Sequence, residues 1–109
     1  YSQGIIANGF IFTAGQGGVI PGTKTLVEGG IKAQTRQALE NVKAILEAAG
    51  SSLDKAVKTT VFLTNLDEFA EMNEVYATFF GDQPPARSTV QVSRLPMGFS
   101  VEIEVVALV

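Results

Sequence analysis

Two β-patterned runs near the C-terminus carry the residue types best suited to chemistry. Arg87 follows a rigid Pro84-Pro85-Ala86 approach and opens the run Arg87-Ser88-Thr89-Val90-Gln91. Glu102 and Glu104 alternate with Val101, Ile103 and Val105 in the second run. A guanidinium is a planar fork of N–H donors that stays charged at any working pH and grips a carboxylate at two points. A carboxylate beside it can accept a hydrogen bond from water, aim that water and move a proton. On neighbouring strands the two could hold an anionic small molecule and its attacking water. The competing readings are a structural arginine and ordinary solvent-facing glutamates, and because Glu102 and Glu104 share a parity, spacing cannot choose between them.

Composition narrows the chemistry. The chain has no Cys and no His, which excludes Cys–His and Ser-His-Asp catalysis, the common zinc sites and disulfides. Catalysis must use Arg, Lys, Asp, Glu, Tyr, Ser, Thr, backbone groups or water, and no metal or cofactor is expected. A net charge of −3 argues against a nucleic-acid partner, which is usually met by a basic stripe. The 46% apolar and 17% charged residues describe one folded domain over residues 1–109. No run approaches the ~20 apolar residues of a bilayer span, so no membrane is expected, and no signal-peptide pattern opens the chain.

The elements that must position these residues are legible in outline. Asn8-Gly9 between Ile5–Ala7 and Phe10–Ala14 is a hairpin signal. Residues 15–30 hold six glycines and one proline and read as loop, with a short strand near Thr25–Val27. No phosphate-binding glycine pattern occurs in it. Ile31, Thr35, Ala38, Leu39, Val42, Ile45, Leu46 and Ala49 repeat at helical spacing before Gly50. Val57–Thr64 reads as a strand, and Asn65 with Glu68 as a cap for a second helix to about Phe80. Strands at Arg87–Val92 and Ser100–Leu108 complete an α+β order, β-β-(β)-α-β-α-β-β. Two helices cover one sheet face only, yet the strands carry apolar residues on both parities. The expectation is a homo-oligomer packed sheet face to sheet face, with a ligand pocket between subunits.

The stretch Pro85-Ala86-Arg87-Ser88, Arg94-Leu95-Pro96 and Glu102-Ile103-Glu104 resembles the signature of the Rid family, in its RidA branch. Tyr1-Ser2-Gln3, Ala14-Gly15-Gln16, Asn41-Val42-Lys43, Val57–Val61 and Phe69–Tyr76 extend the similarity over nearly the whole chain. The resemblance implies a chorismate-mutase-like fold and a homotrimer with three inter-subunit clefts. It implies hydrolytic deamination of reactive enamines and imines, such as 2-aminoacrylate and its imine 2-iminopropanoate, to 2-keto acids and ammonia. Arg87 then matches the carboxylate-binding arginine and Glu102 the residue holding water, with Glu104 left structural. Tyr1 matches a tyrosine at the cleft mouth, Gly15 a backbone N–H donor, and Asn73 an asparagine reaching the cleft from the neighbouring subunit. Thr89 stands where many bacterial members have cysteine, a change that a backbone contact would survive. Ala14 replaces a frequent serine and removes a hydroxyl that could touch substrate.

The other readings of these positions are a frayed terminus for Tyr1, a turn glycine for Gly15 and a wet helix face for Asn73. The competing functions are a non-catalytic binder or sensor of 2-keto acids, a ribonuclease or translation inhibitor, and a chaperone. The chain opens on Tyr1 without an initiator Met, which leaves room for a targeting segment; the expected compartment is cytoplasmic or mitochondrial.

Overall fold

A computed structural model describes residues 1–109. Asn8 and Gly9 take φ of 50° and 82°, the left-handed pair that a two-residue hairpin requires, and join β1 (Gly4–Ala7) to β2 (Phe10–Thr13). After the glycine-rich loop comes α1 (Gly30–Ala48). Then follow β3 (Ala56–Leu63), α2 (Phe69–Tyr76), β4 (Ala86–Gln91) and β5 (Val101–Leu108). They form one five-stranded mixed sheet in the order β1-β2-β5-β3-β4, with only the β3–β4 pair parallel.

The α+β reading holds, with differences. The expected strand at Thr25–Val27 is absent; that segment contributes a single bridge, Val19 to Leu26. Four glycines, at 15, 17, 18 and 22, and Pro21 in eight positions leave too little side chain to sustain a ladder. The second helix is shorter than expected, because its ends tighten into 3₁₀ turns at Leu66–Glu68 and Ala77–Phe79. Asn65 caps the leading 3₁₀ turn, accepting from the Asp67 N–H at 3.0 Å, while Glu68 makes no side-chain capping bond.

Both helices pack on the sheet face that carries Ile11, Thr59, Val61, Leu63, Val101, Ile103, Val105 and Ala107, all buried. Leu39, Val42 and Leu46 of α1 and Met72 and Tyr76 of α2 close this core. The opposite face has no helix. Ile5, Phe12, Val90 and Leu108 on it are 43–55% exposed, beside the half-buried Phe62 and Val106. No helix is long and apolar enough to cross a membrane.

Candidate functional site

Glu102 lies between Val101 and Ile103, whose side chains are buried under the helices, so alternation turns its carboxylate to the open sheet face. Beside it the glycine-rich loop is stitched to β5 by Gln16 and Ile103, which exchange backbone hydrogen bonds at 2.8 and 2.9 Å. Gly15 therefore lies directly against Glu102. A Cβ on it would collide with the Glu102 carboxylate and approach Cγ to 3.0 Å. Gly15 has no positive φ, so left-handed backbone is not what it supplies; a Cβ there could be admitted only by moving the Glu102 side chain. Its N–H donates to no group of the chain. Burial, and then the negative charge of Glu104, push the Glu102 carboxyl above its ordinary pKa. Glu104 itself is exposed.

Two polar side chains of α1 tie down the segments beside Glu102, and the sequence reading gave neither a role beyond placing Asn41 in the family resemblance. Asn41 donates from Nδ2 to the carbonyls of Gly17 and Val19 at 3.2 and 2.9 Å. The buried Gln34 accepts from the Ser100 N–H at 2.8 Å, at the entry to β5. Their spacing was the available signal: seven apart, on one helix face, flanking the apolar stripe. Tyr1, Gly15 and Glu102 line one cleft of about 550 Å³, rimmed by Ile20, Met97 and Phe99. The structure brings these three residues together. Tyr1 is fully exposed at its mouth.

Arg87 is elsewhere. Its backbone pairs with Thr59, a buried residue of the helix-covered face, and its side chain turns towards α2. There Nη1 donates to Asn73 Oδ1 at 2.7 Å, and the guanidinium carbon sits 4.6 Å from the Tyr76 ring centroid and 5.3 Å from that of Phe69. Arg87, Asn73 and Tyr76 line a second cleft of about 400 Å³. The guanidinium has no carboxylate partner; the chain's one ion pair is Lys32–Glu74 at 3.0 Å. A single protomer does not form the expected inter-subunit cleft. Within a protomer, Arg87 and Glu102 do not converge, since they leave opposite faces of the sheet from strands separated by β3. Asn73 contacts Arg87 of its own chain, because α2 covers the face to which Arg87 points, so the two residues travel together to any cleft they enter. Thr89, two residues further along β4, lines neither cleft, and its hydroxyl oxygen is buried without a partner. No group of three or more acidic side chains is placed to hold a metal ion.

A five-stranded mixed sheet with two helices on one face is the architecture of solved structures that match this chain along its whole length. The Rid-family protein YyfA of Yersinia pestis is 51% identical, with a TM-score of 0.96, covering 100% of this chain and 87% of that one. Escherichia coli TdcF, solved with bound serine, is 45% identical with a TM-score of 0.93, covering 100% and 87%. A RutC family protein of Pyrococcus horikoshii is 56% identical over 107 residues, 98% of this chain and 85% of the relative. The model of the family described as Endoribonuclease L-PSP matches residues 1–109. The chain belongs to this family, the Rid or YjgF/RidA family.

Proposed function

We propose that this protein is a hydrolytic deaminase of small 2-imino acids, working as a homotrimer whose clefts join the Arg87 half-site of one protomer to the Glu102 half-site of the next. The observation that carries the reading is that each half is incomplete alone. Arg87 is a partly buried cation without a counter-ion, and Glu102 a carboxylate of raised pKa beside an unused backbone N–H. Such groups are made for a ligand that brings its own carboxylate and a water. Arg87 lies on the edge strand β4, open to a neighbour, and the uncovered apolar sheet face supplies the surface for association.

In the reaction Arg87 binds the substrate carboxylate and Gly15 N–H steadies its oxygen. Glu102 takes a proton from water as the oxygen bonds to the imine carbon. The proton passes to nitrogen, and the resulting carbinolamine collapses to the 2-keto acid and ammonia. Water attack on an imine is intrinsically easy, so positioning and charge neutralisation suffice without a covalent nucleophile.

A carrier of 2-keto or amino acids is the second reading, favoured by Ala14 in place of a hydroxyl and by the serine bound to TdcF. The family's ribonuclease description sits poorly with a chain of net charge −3 and no His. The test generates 2-iminopropanoate in situ and follows pyruvate release. Acceleration that vanishes in Arg87→Ala and is impaired in Glu102→Gln is expected. Ligand binding without acceleration leaves the carrier, and full activity in Arg87→Ala removes the proposal.

A further inference from the structure

The hydrogen bond and the ring contacts of the Arg87 side chain are all with neutral groups, and it makes no ion pair. The amide of Asn73 takes one N–H, and the rings of Tyr76 and Phe69 lie against the guanidinium. Tyr76 is itself locked: its hydroxyl shares a buried 2.7 Å hydrogen bond with Thr59 Oγ1, and Thr59 is the strand partner of Arg87. The chain thus closes a ring from the Arg87 backbone through Thr59 and Tyr76 to the Arg87 guanidinium. A structural arginine of this burial would normally be given a carboxylate. Here an amide stands in the carboxylate's place, one that fixes the direction of the fork and leaves the charge uncancelled.

Resting on the functional reading above, we infer that Asn73 and Tyr76 are positioning residues for Arg87, and that the neutrality of Asn73 is what keeps the guanidinium available to a ligand carboxylate. Aspartate has the shape of asparagine and accepts the same hydrogen bond, more strongly. It would also supply a permanent counter-ion in competition with the ligand. The two roles therefore predict opposite results for one substitution. If Asn73 serves stability alone, Asn73→Asp keeps or improves both folding and binding. If it serves positioning, Asn73→Asp folds well and loses its ligand.

The experiment titrates pyruvate into the purified oligomer and measures the deamination kinetics and melting temperature of the same samples. Asn73→Asp is expected to keep the wild-type melting temperature and to weaken pyruvate binding by about tenfold or more, in line with one added partly screened charge. Asn73→Ala should weaken it less. KM should rise with binding while kcat changes little, the pattern of an interaction made equally in ground and transition states. Tyr76→Phe keeps the ring but frees it from Thr59, and should weaken binding several-fold, so it decides the matter if Asn73→Asp fails to fold. Wild-type affinity in Asn73→Asp, or in Tyr76→Phe where that variant decides, overturns the inference. Retention of pyruvate binding and of activity in Arg87→Ala instead overturns the functional reading beneath it.

Discussion

Two causes set Glu102 apart from a surface glutamate. Burial and the neighbouring Glu104 raise its pKa above the ordinary 4.5. If its carboxylate is the form that activates water, activity must fall on acidification at a higher pH than an unperturbed glutamate would require. Glu104→Gln removes the second cause, so it should move that acid limb to lower pH without loss of the plateau rate; pH profiles of the imine assay check this. Linkage gives an independent readout. Between the ordinary and the raised value the native state binds more protons than the unfolded chain, so Glu102 makes stability fall as pH rises through that window. Glu102→Gln should remove this slope from urea denaturation at a series of pH values. Gly15 is tied to the same carboxylate by contact. Gly15→Ala puts a methyl where the Glu102 side chain lies, and the displaced carboxylate should cost on the order of 10²-fold in kcat/KM. A rate near wild type would show that the carboxylate has freedom the site does not need.

The elements were readable where one strong local rule decided them, and unreadable where registration between elements decided. Asn8-Gly9 announced its hairpin and the α1 stripe its helix. The opposition of Arg87 and Glu102 was not legible, because which face a residue takes depends on how its strand registers against the next. Nothing in the run Arg87–Gln91 says that it pairs parallel to β3 at the sheet edge. The anchoring of the glycine-rich loop was hidden for a related reason: Asn41 reads as polar helix surface until the loop is laid across it. Its two hydrogen bonds to Gly17 and Val19 hold a segment with little side-chain packing of its own. Asn41→Ala should therefore cost about 1–3 kcal/mol in urea denaturation, the usual penalty for stranding partly buried acceptors. It should also raise KM, because Gly15 sits at the head of the released loop. An unchanged KM would mean that the Gln16–Ile103 bridge alone suffices to place Gly15.

At the scale of the whole molecule, the separation of the two half-sites is itself an argument about assembly. A cation without a counter-ion at one edge and a carboxylate turned to the opposite face are of little use to a single protomer. In the proposed assembly they would become one site, a cyclic oligomer setting the edge of each copy against the face of the next. Every cleft would then take Arg87 from one chain and Glu102 from another. Complementation tests this in solution. Arg87→Ala and Glu102→Gln proteins, each impaired alone, are denatured together in equal amounts and refolded. In random assembly about a quarter of the clefts draw Arg87 from a Glu102→Gln chain and Glu102 from an Arg87→Ala chain. Those clefts are wild type in both residues, so about a quarter of the wild-type rate should return. If instead both residues served a site within one chain, every site would carry a defect whatever the mixture, and no rate above the two parents would appear.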